Sequence, residues 1–563
     1  MILIALSWII LFYFFLIYGI VIEKIFRLNF NEITFTILFG MVFQTVLLTI
    51  CAFFLAIDLT VFIGNLTLVT LLTFKYRKEI VDKIATFLND FKKLSAYLKI
   101  ILLLILISTL LKSAQFPFIL DNESYYIQTI KWLNEYGFVK GIANLNISFG
   151  QTSGWHILQS GFNFNFLTDR INDINGFLFM VCSYYFLAQF DKNWRQNQQF
   201  HWIGFVLLFN LLSYQFINSP SPDLPLFLIA QILFYLFLKD TKTIENQKTI
   251  IVVLAYLMFL KITIVPLALL LVYQFYQEKK IRIFLVTTLF IFTALWIAKN
   301  TILTGYPLFS LTYFQYSCDW IAPEIMVNAF NHAIQNHEFS SVSNLNNLSV
   351  LEKFSIWIQL EGINRIFNIG ILLLFFVAPF TKNIRTFFEY KVLYVLLLIH
   401  FIVVFLSSPQ FRFFLLEFIF LTALVFSDIL NKLKINYQLV KGIVVIAAVL
   451  PVISIYFIDL KTLTKNKYNQ EFEKISLSQI FLPEKNSKYS EIKFEKITED
   501  NLDYYSPTEN FFFYGTANGK LPCINKVHLD YLKNKYHFVP QLRTSNLGDG
   551  FYSKNIPKNE INE

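Results

Sequence analysis

Asp121-Asn122-Glu123-Ser124-Tyr125-Tyr126 lies near the start of a hydrophilic loop, Lys112–Asn172, that leaves one hydrophobic segment (Ile100–Leu111) and enters another (Asn175–Phe190). Ionised groups lose hydration near lipid, so acids at a membrane edge are kept for a function more often than for packing. The loop gathers acidic, aromatic and histidine side chains in an otherwise apolar chain. The rest of the sequence reads as a scaffold that fixes where this loop sits.

Working outward, the 563 residues are 56% hydrophobic and 18% aromatic, with a mean hydropathy of +0.53. That balance defines a polytopic membrane protein. Its apolar runs are continuous rather than alternating, which predicts α-helices spanning a bilayer core of about 30 Å and excludes a β-barrel. The fold class expected is therefore all-α, with about 14 hydrophobic segments. The formal charge of +9 sits in short loops between spans. Topology accounts for it, and a nucleic-acid partner is not implied.

The first run, Ile2–Ile22, has no basic residue before it and Glu23, Lys24 and Arg27 after it, the reverse of a signal peptide. It predicts a retained span with the N-terminus outside. Spans Ile33–Ala56 and Leu59–Phe74 lead to the most basic connection, Lys75–Lys99, which marks a cytoplasmic face. By parity, loop 112–172 is extracytoplasmic, as is a second large loop, 299–365. Basic turns at Lys192–Arg195, Lys239–Lys248, Lys279–Arg282, Lys382–Arg385 and Lys432–Lys434 then fall inside, provided that Ile250–Tyr276 folds as a hairpin near Lys261. A last span at Ile443–Ile458 exits to a polar tail. Three regions result: residues 1–98, a transmembrane core over 99–458, and a small extracytoplasmic domain over 459–563. In that domain Phe511–Tyr514 before Gly515 suggests a strand and turn. Cys51 and Cys182 lie in apolar spans as small hydrophobes. Cys318 and Cys523 fall on the same expected side, which leaves a disulfide between them open.

Several residues could carry chemistry. On an extended backbone Asp121 and Glu123 face the same way, a pair suited to a general base with a metal or hydrogen-bonding companion; on a helix they diverge by about 200°. In the helical case Asp121 caps, and Glu123 starts, an amphipathic helix with Tyr126, Ile130 and Leu133 on one face and Gly137 at its end, lying along the interface. Tyr125 flanks this pair. His156 follows Trp155 in a polar stretch and is either a ligand-binding group or a neighbour of an interfacial anchor. Asp223 lies in the rigid turn Asn218-Ser-Pro-Ser-Pro-Asp-Leu-Pro225, which either aims the acid or starts a helix. Arg412 sits at the outer edge of its span, where its planar fork suits a phosphate, or simply snorkels. Lys261 and Lys299 are further cations on the same side.

The acids and following aromatics of Asp121–Gly137, the Gly305–Leu308 turn preceded by Asn300, and Ser408-Pro-Gln-Phe-Arg412 together resemble the GT-C superfamily of polytopic glycosyltransferases. More narrowly, the Ser219–Pro225 turn is similar to one in a group of bacterial multi-pass membrane proteins. The resemblance covers roughly Ile100 to Leu430. It implies a bacterial cytoplasmic-membrane enzyme that transfers a sugar from a polyprenyl-phosphate donor to a glycan, lipid or protein acceptor on the outer side, with inversion. Asp121 would be the base, Glu123 or Asp223 would assist it, and Asp121 with Glu123 would hold any divalent metal ion. Arg412 would stabilise the leaving phosphate, with Tyr125, His156, Asp223, Lys261 and Asn300 binding substrate. The acid pair is Asp-x-Glu, whereas many relatives show adjacent acids.

Other readings stay open. A lipid-linked glycan transporter would line its midplane with charge and often repeat its halves; here the charges collect at one membrane edge. A glycan polymerase also has large outer loops, usually more basic than these. A non-catalytic membrane protein is the remaining class.

Overall fold

The computed structural model describes the chain except residues 197–200, 240–242, 340–347, 434–437, 441, 448–449, 451–475, 490, 509–510 and 558–563. Apolar helices dominate. The first two, α1 (Ile2–Phe26) and α2 (Ile33–Ala52), pack against each other along their length. Gly19 and Gly40 allow this: a Cβ at Gly19 would overlap the Thr36 carbonyl, and one at Gly40 the Phe15 carbonyl. Small residues let helix backbones approach closely where lipid removes the hydrophobic drive for association. Next, α3 (Leu59–Lys75) bends by 85° into α4 (Arg77–Lys93). This second helix is amphipathic and carries the basic connection. Then α5 (Ala96–Ser113) leads into the long loop, which holds α6 (Ile127–Tyr136) and α7 (Gly154–Ser160) before α8 (Ile174–Arg195).

Short helices α9 (Trp202–Phe205) and α10 (Asn210–Ser213) precede α11 (Asp223–Lys239), whose side chains are buried along almost its whole length. After α12 (Ile244–Leu260) the chain breaks at Lys261, which is extended (φ −154°, ψ 125°), and resumes as α13 (Leu269–Gln277). The break falls where the hairpin was expected. Helices α14 (Arg282–Thr304), α15 (Glu324–Gln335), α16 (Val350–Gln359), α17 (Ile363–Val377), α18 (Lys382–Thr386), α19 (Phe388–Ser407) and α20 (Leu415–Lys432) complete the helical body. The core lies around α2, α8, α11, α12 and α20, while α5, α14 and α17 expose large apolar side chains, as spans facing lipid do.

Among the described residues seven helices are long and apolar enough to cross a membrane, or up to eight if α3 and α4 count as one bent span. The expected count of about 14 is not reproduced among the described residues. Several of the other apolar runs, such as Trp202–Phe216 and Ile262–Tyr276, are short and broken. Most of the expected span at Ile443–Ile458 lies outside the described residues.

The tail forms two antiparallel pairs, β1 (Phe494–Glu499) with β2 (Leu502–Pro507) and β3 (Phe538–Leu542) with β4 (Phe551–Asn555), flanking α21 (Lys526–Tyr536). Phe511–Tyr514 is not a strand; its rings pack instead, Phe511 on Tyr489 and Phe513 on His528 at 5.1 Å. Cys318 and Cys523 are both free. Cys523 is buried under the tail, its thiol facing the Thr516 carbonyl, so no disulfide ties the tail down.

Candidate functional site

The loop follows the helical alternative, with Glu123 in the first turn, but without a cap from Asp121. Residues Asn122–Tyr126 form one π-helical turn that continues into α6, and Asp121 already has helical angles (φ −57°, ψ −28°) with no capping hydrogen bond from its side chain. The backbone is helical, so Asp121 and Glu123 point to different surroundings. Single π turns inside α-helices recur at functional sites. Gly137 ends α6 at φ +73°, as expected. However, α6 does not lie half-exposed along an interface: Gln128, Thr129, Trp132 and Asn134 are buried together with Ile127, Ile130 and Leu133. The tail covers its polar face, through hydrogen bonds from Gln128 and Lys131 to the Gly519 carbonyl.

Asp121 joins a cluster with three residues from distant segments. The Arg412 guanidinium donates to its carboxylate at 2.8 Å and lies 3.7 Å from Asp223. Lys261 forms an ion pair with Asp223. Local structure explains the convergence. Asp223 occupies the first turn of α11, where the helix dipole favours an anion. Lys261 sits at the break after α12, and Arg412 in the short turn Phe411–Phe414 before α20. The Phe413 ring lies 3.8 Å from the Lys261 ammonium and 5.1 Å from the Arg412 guanidinium carbon. Gln410 accepts from Arg412 Nε at 2.9 Å. Cation–π contact and hydrogen bonds thus hold both cations without using all of their donors.

Exposure grades the cluster. The Asp223 side chain is 4% exposed and Lys261 18%, whereas Arg412 and Asp121 reach 25% and 29%. Asp223 and Lys261 form the floor; Asp121 and Arg412 face outward. Burial pushes the Asp121 carboxyl up, but the Arg412 guanidinium more than offsets this and holds it below the ordinary range, with help from Lys261 and His337. Asp121 is therefore ionised at neutral pH.

Aromatic groups form one wall. Tyr125 and Tyr126 contact each other, and the His156 ring lies 4.7 Å from that of Tyr126 and 6.0 Å from that of Tyr125. Burial, reinforced by Lys299, lowers the His156 pKa to about 3, so the imidazole is neutral. Its Nδ1 accepts from the Ser153 amide at 3.3 Å, which places the proton on Nε2. That Nε2–H is buried and has no partner among the described residues. Lys299 is buried and donates to the Thr152 carbonyl at 2.5 Å.

Two assignments change. Asn300 is buried and donates to the Pro307 carbonyl at 3.4 Å, so its side chain serves the Gly305–Leu308 turn rather than the cluster. Glu123 is fully buried and turned to the tail. Its carboxylate accepts from Ser487 Oγ at 2.6 Å, the Lys488 amide at 3.2 Å and Asn122 Nδ2 at 3.2 Å. Its carbonyl accepts from the Thr516 and Ala517 amides at 2.9 Å each. Burial raises the Glu123 pKa despite these neutral donors. Glu123 thus anchors the tail and faces away from the Asp121–Arg412 pair.

A divalent ion does not fit the pair proposed for it. Asp121 and Glu123 do not share a site, and Asp121 and Asp223 are already matched by two cations. Among the described residues no three His, Cys, Asp or Glu side chains gather as a metal site would require. The residues that sequence reasoning missed are Phe413 and Gln410, which immobilise the cations, and Ser487 and Lys488, which hold Glu123. Phe413 and Gln410 flank Arg412 and were within reach of a local reading. The tail contacts span more than 360 residues of sequence, and no local pattern announces them.

Fold and cluster together define a polytopic helical membrane protein whose charged site lies where spans meet a long loop. A family model described as "Domain of unknown function (DUF8201)" matches residues 1–420. The chain belongs to that family. The matched region contains Asp121, Asp223, Lys261 and Arg412, and leaves out the tail. No curated protein and no solved structure matches the chain.

Proposed function

We propose that the protein is a GT-C-type glycosyltransferase of a bacterial cytoplasmic membrane, moving a sugar from a polyprenyl-phosphate donor to a glycan, lipid or protein acceptor on the extracytoplasmic side. The observation that carries this reading is the Asp121–Arg412 pair, outward-facing and backed by Asp223 and Lys261 at the junction of three helix ends and the loop. In the reaction the acceptor hydroxyl oxygen bonds to the anomeric carbon from the face opposite the phosphate. Its proton passes to an Asp121 carboxylate oxygen. The anomeric carbon–oxygen bond breaks, and its electron pair stays on the polyprenyl phosphate.

The charges suit these steps. Asp121 is ionised at rest, the state a base requires, although its low pKa limits its basicity. The guanidinium has five N–H donors. It can take up a phosphate oxygen while still paired with a carboxylate. Negative charge grows on the departing oxygen, so a fixed cation acts mainly in the transition state. Tyr125, Tyr126 and the His156 Nε2–H offer a wall of neutral donors for sugar hydroxyls.

The test is release of free polyprenyl phosphate by purified wild type and Asp121→Asn in nanodiscs, from a panel of polyprenyl-phosphate sugars. Release by wild type and its loss in Asp121→Asn, with donor binding kept, supports the reading. Donor bound but never consumed, even with acceptors supplied, favours a transporter. Neither binding nor release would overturn the transferase assignment.

A further inference from the structure

The tail holds an apolar surface that its own core does not use. Leu502, Tyr504, Ile524, Leu529 and Phe551 are buried within or beneath the tail. By contrast, the turn Leu477–Ile480 and the two residues after it place four large apolar side chains in solvent: Leu477 (83% exposed), Ile480 (38%), Phe481 (66%) and Leu482 (55%). Clustered exposure of this kind marks an interaction surface.

The position of the turn indicates what covers it. The Met1 ammonium, at the start of α1, donates to the Gln479 carbonyl at 2.6 Å. The Glu484 amide donates to the carbonyl of Ala114, the residue that ends α5, at 2.9 Å. Both α1 and α5 are candidate spans, and they pack side by side. The turn therefore lies at the level where two spans leave the bilayer. Below it, α1 exposes Ile2, Leu6 and Ile9 as a stripe down one face, the pattern of a span facing lipid. The exposed turn adjoins the upper end of α1. Nearby, Arg170 donates to the Pro483 carbonyl at 2.6 Å, which sets a cation beside the apolar turn.

We infer that Leu477, Ile480, Phe481 and Leu482 form a membrane wedge that inserts into the headgroup–acyl boundary of the leaflet on the loop side. The partner is the lipid bilayer itself, at the depth that interfacial apolar groups occupy. The wedge has a consequence for the site. Four residues after Phe481 the same strand of chain reaches Lys485, and Ser487 and Lys488 then grip Glu123, two residues from Asp121. Insertion would tie the Asp121 turn to the leaflet.

The experiment uses the full chain in nanodiscs of phosphatidylethanolamine and phosphatidylglycerol, with Cys51→Ser and Cys318→Ser as background. Spin labels are placed singly at Leu477→Cys and Phe481→Cys. Ile9→Cys serves as the lipid reference and Val527→Cys, 62% exposed on α21, as the water reference. The expected result is a ratio of oxygen to nickel-chelate relaxation at 477 and 481 that is severalfold above that at 527 and close to that at 9. Ratios equal to that at 527 would overturn the wedge. Labels immobilised and shielded from both relaxants would overturn it in favour of a protein contact. Because the readout needs no substrate, its outcome is independent of the transferase reading.

Discussion

Asp121 and Glu123 stand two residues apart on one π turn, yet they belong to opposite electrostatic regions. Asp121 faces two cations, is partly exposed and has its pKa lowered. Glu123 bonds to neutral donors, with the Lys488 charge acting on it as well, is fully buried and has its pKa raised by that burial. The comparison teaches that a carboxylate's role follows from what the fold brings to it. Nearby cations keep Asp121 charged; burial among amides and hydroxyls makes Glu123 a structural anchor.

The sharpest way to break this contrast is to neutralise each acid in turn. Asp121→Asn should lower polyprenyl phosphate release by about 10²–10⁴-fold, the range for a lost general base. Its KM for donor should change little. Glu123→Gln keeps most of the hydrogen bonds and should retain most of the turnover. Equal losses in both would return Glu123 to the catalytic group. Arg412→Ala comes next, with an expected loss of about 10²–10³-fold in turnover, as for a missing transition-state donor.

Smaller effects test the anchor. Glu123→Ala leaves Ser487 Oγ, the Lys488 amide and Asn122 without an acceptor, which should weaken tail docking by about 1–3 kcal/mol. Limited proteolysis after residue 475 would report it as faster cleavage of the tail. The two acids should also differ in pH response. The raised Glu123 pKa means that its contribution favours the folded state fully below the ordinary glutamate value of about 4.3 and is lost as pH rises through the folded value. Tail protection should therefore strengthen on mild acidification, and Glu123→Gln should flatten that response. The lowered Asp121 pKa has the opposite sign. Its contribution is present above the ordinary value of about 3.9 and is lost only as pH falls through its folded value, so any acid limb that it sets lies below that point. The smallest change should come from Asp319→Asn. Its bidentate bridge to Arg543 is 60% exposed on the acid side, and loss within about 1 kcal/mol is expected from thermal unfolding.

Much of the fold was legible. Apolar runs marked α1, α2, α3 and α5 to within a few residues, because a span must satisfy its backbone internally and so must be long, continuous and apolar. A break near Lys261 was legible because a single crossing over Ile250–Tyr276 would put the basic Lys279 and Lys280 outside. Of the site, Asp121 was singled out by the cost of charge near lipid, Asp223 by its proline-rigid turn, Lys261 by the hairpin expected around it and Arg412 by its planar fork at the edge of a span. The partners of Asn300 and Glu123 were not legible: a polar residue near a membrane edge has either a ligand or a buried partner, and spacing does not distinguish the two.

The sequence by itself determined that this is a helical membrane protein with polar loops, since hydropathy and charge act locally along the chain. It also determined which charged residues deserved notice. Only the tertiary structure decided that four of them meet, that Glu123 serves the tail, and that Leu477–Leu482 stands beside the ends of α1 and α5. Those outcomes depend on contacts between residues hundreds of positions apart. Their energies come from which groups share a buried space, and no local pattern encodes that.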